Sequence, residues 1–208
     1  MIKKFVLGMY QENCYVVFCS RTKKGFIVDP GIYSQEVINY IQEKQLDIEF
    51  VLLTHAHGDH ICGLTDTVEK FNVPVYIHKK EAEILQDHKK NFSGEICGKM
   101  IEREAERLLE DGEIIKIGYM EIKIIHTPGH TPGGICIYIE AEECLISGDT
   151  LFDRSIGRTD FRYSSTEALI AAVKEKLYVL PDDTEVYPGH GTDTSILQEK
   201  GSNPFVRG

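Results

Sequence analysis

The run Phe50-Val-Leu-Leu53 passes through Thr54 directly into His55-Ala-His-Gly-Asp-His60. A short stretch that is apolar on both faces reads as a strand covered by other elements. A single histidine at a strand end is commonly a polar surface or capping residue. Here three imidazoles and a carboxylate fall within six positions, which reads as a turn loaded with metal ligands. A chain carrying this segment must bury the strand and bring other ligands to its C-terminal end.

Three later turns offer them. Thr127-Pro-Gly-His130-Thr-Pro-Gly133, Ser147-Gly-Asp-Thr150 and Pro188-Gly-His-Gly191 each follow an apolar run. Glycines flank every ligand, as tight turns require, and neither GxGxxG nor GxxxxGK[ST] occurs to suggest a phosphate loop. His55 and His57 converge on one ion if their turn curls, while Asp59 and His60 point elsewhere. The expected assignment is His55, His57 and His130 on a first metal, and Asp59, His60 and His190 on a second. Asp149 bridges them, because a carboxylate offers two oxygens where an imidazole offers one nitrogen. Three protein ligands and an open position are what a catalytic ion needs. A water or hydroxide between the ions is then the nucleophile. Asp59 is the catalytic candidate, a ligand that also orients that nucleophile. His126 is expected to act behind the ligands, donating to a ligating carboxylate. His78 and His88 read as ordinary polar residues.

The remaining pattern is strands first, then strand-helix alternation, then strands and a helix again. Strands are expected over 5–7, 14–19, 25–28, 51–53 and 74–77, with helices from Ser34, over 61–71 and over 79–88. Residues 89–99 read as a loop or lid and 100–109 as a helix with Ile101, Ala105 and Leu108 on one stripe. Hairpin strands follow over 113–125, then strands over 134–139 and 144–146, a helix over 164–177 and a strand over 185–187. The tail from Ser202 to Phe205 is expected to return to the body. This order predicts an α/β protein of two packed sheets with helices outside, in one domain over residues 1–208.

The formal net charge of −10 disfavours binding to a phosphate backbone, so no nucleic-acid partner is expected. No apolar run reaches the length of a membrane span, and the N-terminal apolar run is too short for an export signal. A cytoplasmic location is expected, with the six cysteines as free, buried thiols.

On these motifs the sequence resembles the metallo-β-lactamase superfamily: Thr54-His-Ala-His-Gly-Asp-His60 matches its HxHxDH signature, and the loops around His130, Asp149 and His190 match in order and spacing. The resemblance implies an αββα sandwich of two mixed β-sheets with helices on the outer faces and metals at one edge. Asn13-Cys-Tyr15, Asp29-Pro-Gly31, Gly148-Asp-Thr-Leu-Phe152 and Gly157-Arg158 are similar to the short glyoxalase II-like hydrolases. That implies hydrolysis of a glutathione thioester such as S-D-lactoylglutathione by metal-bound hydroxide. Two divalent ions are implied, zinc first, with iron or manganese as alternatives. Longer members carry a C-terminal helical domain that supplies much of the glutathione site, whereas 18 residues follow His190 here. Arg158, through its bidentate fork, and Tyr15 are the candidate substrate contacts. The partner expected is a small thioester or other acyl compound; oligomeric state is unreadable.

Two other readings stay open. A persulfide dioxygenase-like oxidoreductase would use one iron on His55, His130 and Asp149. A non-enzymatic, metal-stabilised binding protein would fill every coordination position with protein ligands. A class B β-lactamase fits less well, because many carry Cys where Asp149 stands.

Overall fold

The structure is a computed structural model that describes residues 1–207. It divides into two compact units, Met1–Leu109 with Lys116–Met120, and Glu110–Ile115 with Glu121–Gly208.

The first unit holds a six-stranded sheet whose strands follow chain order: β1 (Ile2–Leu7), β2 (Glu12–Phe18), β3 (Lys24–Val28), β4 (Asp47–Leu52), β5 (Val75–His78) and β6 (Arg107–Leu109). β1 to β3 form an antiparallel meander, while β3 to β6 run parallel. Parallel neighbours need crossovers, and the helical segments supply them. α1 (Gln35–Glu43) joins β3 to β4, and α2 (Gly58–Ile61) with α3 (Leu64–Phe71) joins β4 to β5. α4 (Ala82–Leu85), α5 (His88–Asn91) and α6 (Ser93–Cys97) join β5 to β6. The Ser34 hydroxyl caps α1 by accepting from the Val37 N–H, and Val37, Ile38 and Ile41 form the buried face, as the spacing predicts. Across the sheet the rings of Phe26, Phe50 and Tyr76 stack in series, with centroids 5.0 and 4.3 Å apart. This stack fixes β4 in the middle of the unit, and β4 is the strand that delivers the ligand turn.

Four expectations are corrected in this unit. The helix over 79–88 shrinks to α4, and the loop over 89–99 contains α5 and α6. Asp87 starts α5 by accepting from the Lys89 N–H, and Phe92, at φ 60°, breaks α5 from α6. The buried Asn91 amide donates to the carbonyls of Ile84, Leu85 and Ile101, holding these short pieces together. The helix expected over 100–109 is extended. Its supposed stripe is scattered, with Ile101 buried and Leu108 51% exposed. Pairing with β5, reinforced by the Val75 N–H donating to the Glu106 carboxylate, outweighs local helix propensity. Finally, Cys62 and Cys97 form a disulfide rather than free thiols. They lie 35 residues apart and meet because the end of α2 abuts the end of α6. Cys14, Cys19, Cys136 and Cys144 are free and buried, as expected.

The second six-stranded sheet involves β7 (Ile114–Ile117), β8 (Met120–His126), β9 (Ile135–Ile139), β10 (Cys144–Gly148), β13 (Glu185–Pro188) and β14 (Thr194–Ser195), in the order β14-β13-β10-β9-β8-β7. β8, β9 and β10 are antiparallel neighbours, and β10 runs parallel to β13. A small hairpin of β11 (Leu151–Phe152) and β12 (Ser155–Ile156) follows β10. α7 (Thr166–Ala172) is capped by Ser165 and continues as a wider turn over Val173–Leu177. α8 (Ile196–Ser202), also serine-capped, has no counterpart in the sequence reading. Leu145, Val173, Leu177, Tyr178, Val186, Ile196 and Val206 share one buried cluster. The tail does return to this core: the Tyr178 hydroxyl donates to the Val206 carbonyl at 2.9 Å. Both sheets are mixed and carry helices, which is the α/β class expected. No helix among the described residues is long and apolar enough to cross a membrane.

Candidate metal centre

β3 and β4 run parallel and end at the same edge of the first sheet, so Asp29 lies beside Thr54. Asp29 adopts φ 47°, a conformation that Asp tolerates better than most side chains. From there its buried carboxylate reaches across. Oδ1 accepts from the Thr54 N–H at 2.7 Å, and Oδ2 accepts from the Thr54 hydroxyl at 2.5 Å. Oδ2 also lies 3.0 Å from His60 Nδ1. A carboxylate only accepts, so His60 carries its proton on Nδ1. The Thr54 hydroxyl, having donated its own proton to Asp29, accepts from His55 Nδ1 at 3.1 Å. Both imidazoles therefore carry an unprotonated Nε2, the form a metal binds. Asp29, His55 and His60 lie close enough for one ion to bind all three. The hydrogen bonds instead make Asp29 the orienter of the two imidazoles.

The rings converge. His55 lies 4.2 Å from His60 and 4.8 Å from His57, centroid to centroid, and all three are buried. His57 precedes α2 as its N-cap, which turns the chain so that Asp59 falls in the helix's first turn. The Ala56 N–H between the first two ligands donates to Glu81 Oε1 at 3.1 Å, and Glu81 is fully buried. Gly31 permits the close approach that sets α2: a Cβ there would lie 2.3 Å from the Asp59 carbonyl oxygen.

In the second unit His130, Asp149 and His190 come together. His130 Nδ1 lies 2.8 Å from the Arg158 carbonyl, which accepts its proton. Ser164 Oγ donates to the His130 carbonyl at 2.7 Å and fixes the loop. His130 Nε2 is then a lone pair, yet it faces Asp149 Oδ2 at 3.5 Å. His190 Nε2 is 3.9 Å from the other oxygen, Oδ1. Two acceptors that face each other are stabilised by a cation between them. A metal ion fits this donor set, with one Asp149 oxygen toward each histidine.

The remaining expected residues fall differently. His126 Nε2 donates to the Pro132 carbonyl at 2.9 Å, so it braces the His130 loop. Tyr15 is 1% exposed within β2, enclosed in the sheet where a substrate does not reach. The Arg158 guanidinium makes a bidentate pair with Asp160, at 2.6 and 2.7 Å, and lies over the Phe161 ring. Its backbone carbonyl is what touches the site. Asp29, Thr54 and Glu81 were not recognised as site residues. The one signal for Asp29 was the Asp29-Pro-Gly31 turn, which fits a strand end equally well.

The family model of the metallo-β-lactamase superfamily matches residues 7–190. The chain belongs to the metallo-β-lactamase superfamily. A probable metallo-hydrolase of Bacillus subtilis, YqgX, is 39% identical over 99% of this chain and 97% of its own length. The hydroxyacylglutathione hydrolase GloC of Haemophilus influenzae is 35% identical, covering 95% and 93%. Among solved structures, the B3 metallo-β-lactamase BLEG-1 is 40% identical with a TM-score of 0.93 and full coverage of both chains. TTHA1623 in a di-iron-bound form is 32% identical, with a TM-score of 0.86 over 98% of this chain and 100% of that one. ETHE1 from Myxococcus xanthus is 26% identical, with a TM-score of 0.82 over 98% and 83%. The fold is thus shared by differently named proteins, and it does not choose the reaction.

Proposed function

We propose that this chain is a binuclear metal-dependent hydrolase of small acyl thioesters, with a glutathione thioester such as S-D-lactoylglutathione as the leading substrate. The carrying observation is His130 Nε2, cleared of its proton by the Arg158 carbonyl and facing Asp149 Oδ2 at 3.5 Å. In this reading His55, His57 and His130 hold a first ion, Asp59, His60 and His190 a second, and Asp149 serves both. Zinc is the proposed ion, with iron or manganese as alternatives; the di-iron form of TTHA1623 keeps iron in play. When bound, such ions lower the pKa of water and polarise an acyl carbonyl.

The protein's own part is to hold and orient. The Asp29–Thr54 pair keeps the His55 and His60 protons on Nδ1, which leaves each Nε2 unprotonated. Asp59 accepts a hydrogen bond from the attacking water and aims it. A leaving thiolate, of ordinary pKa about 8.5, departs without requiring a protein acid. The similarity to GloC supports the thioester class. A cytoplasmic setting fits such a substrate.

One observation favours a second reading, β-lactam hydrolysis at the same site: the full-length similarity to BLEG-1. The deciding experiment is metal analysis alongside a panel of S-D-lactoylglutathione, other acyl thioesters, a penicillin and a cephalosporin. Thioester turnover with two metals per chain supports the proposal. Turnover of β-lactams alone would replace it with the second reading. One iron per chain with oxygen uptake would point to the oxidoreductase instead.

A further inference from the structure

The Cys62–Cys97 disulfide lies where the ligand helix can feel it. Cys62 caps the C-terminus of α2, two residues after His60, and Cys97 ends α6. The two helices meet almost backbone to backbone. A Cβ added at Gly58 would stand 3.0 Å from Ile96 Cβ and 3.1 Å from Ser93 Cα.

α6 is held unequally at its two ends. Its start is rooted by the buried Asn91, whose Oδ1 accepts from the Ser93 N–H, and by Ser93 Oγ, which accepts from the Ile101 N–H. Beyond its end Gly98, Lys99 and Met100 are exposed. There the disulfide is joined by the close packing of Ile96 on Gly58 and by a half-exposed Lys99–Asp66 ion pair. Such pairs contribute little.

The disulfide is also reachable. Both cysteines are half-buried and line a cleft of about 250 Å³, together with Met9, Tyr10, Ile96 and Asp59. Met9 is 94% exposed and Tyr10 52% at this cleft, which is open to solvent. A disulfide that is buried is protected by its surroundings; one that walls an open cleft is available for exchange.

We propose that Cys62–Cys97 is a reversible thiol-exchange site, opened by a low-molecular-weight thiol entering this cleft, and that opening it releases the end of α6 from α2. In the first step a thiolate attacks one cysteine sulfur. The S–S bond breaks, a mixed disulfide forms, and the other cysteine leaves as a thiolate that takes up a proton. A second thiol attacks the mixed disulfide, giving the second free cysteine and the small-molecule disulfide. Two electrons pass from two thiols to the protein. The site is independent of which substrate the metal centre takes.

The test treats the full-length protein with reduced glutathione under native conditions, then traps thiols by alkylation and maps them by peptide mass. Hydrogen exchange is followed on the same samples. Cys62 and Cys97 are expected to be alkylated, or to carry glutathione, before any of the deeply buried Cys14, Cys136 and Cys144. Exchange protection is expected to be lost over residues 94–100 and 58–63, with protection kept elsewhere. The C62S/C97S variant is expected to show the exchange pattern of the reduced protein with or without thiol. If it does not fold, the reduced natural protein carries the comparison alone. A disulfide that stays closed until the chain is denatured would overturn the proposal. So would opening that leaves both segments as protected as before.

Discussion

The Asp29 carboxylate is the point at which the metal-site reasoning is most exposed to test, and Asp29→Asn is the sharpest perturbation. Asn has nearly the same volume and tolerates positive φ, so the φ of 47° at this position is kept. What changes is one acceptor. If the amide oxygen takes the Oδ2 place, it keeps the Thr54 hydroxyl and His60. The NH2 group then faces the Thr54 N–H, donor against donor, where the parent's Oδ1 accepts at 2.7 Å. A buried donor left unpaired costs about 1–3 kcal/mol of folding free energy. If the amide flips, the NH2 group faces His60 Nδ1 and drives the imidazole proton to Nε2, the atom proposed to bind metal. Loss of such a supporting partner weakens metal binding about 10- to 100-fold, or roughly 1.4–2.7 kcal/mol. Urea unfolding of the metal-free protein measures the first cost, and chelator competition at neutral pH measures the second. A folded Asp29→Asn protein with metal affinity within about twofold of the parent, against that 10- to 100-fold expectation, would refute the assigned tautomers.

Three further outcomes follow from the same geometry. Gly129→Ala, at φ 147°, places a Cβ 2.3–2.5 Å from Leu169 side-chain and backbone atoms; α7 must shift or the His130 loop must, so metal content in purified protein is expected to fall sharply. Phe50→Ala removes the middle ring of the Phe26–Phe50–Tyr76 stack and is expected to cost about 3–5 kcal/mol in denaturant unfolding; a loss below about 1 kcal/mol would mean the stack does not anchor β4. Arg158→Ala removes an exposed guanidinium already paired with Asp160, while its carbonyl stays on His130. Metal content is expected to be unchanged and stability to move by less than about 1 kcal/mol. A large rise in KM for a carboxylate-bearing substrate would restore Arg158 as a substrate contact.

Most of the scaffold was legible because its signals are local. The meander of β1 to β3, the buried run of β4, the capped α1 and the strands around Asp149 each follow from apolar period and turn residues within a short window. The segment from 79 to 109 was not. Its charged composition resembles a helix, but Asn91 and the edge of β5 decide its shape, and neither is visible from within the segment. α8 was missed for a similar reason: its apolar contribution is chiefly Ile196, which acquires meaning only inside the cluster with Tyr178 and Val206.

The ligand set divides the same way. His55, His57, Asp59, His60, His130, Asp149 and His190 stand out by residue type at the ends of apolar runs, so the sequence by itself determined the superfamily and marked the candidate metal ligands. Only the tertiary structure decided how those ligands are prepared. Asp29 reaches Thr54 and His60 across 25 and 31 residues, Arg158 supplies a carbonyl rather than a side chain, and Cys62 finds Cys97. Each depends on two distant segments arriving at one place. A hydrogen bond or disulfide of that kind leaves no periodicity in the chain, because its geometry is set by the sheet edge and helix packing that bring the partners together.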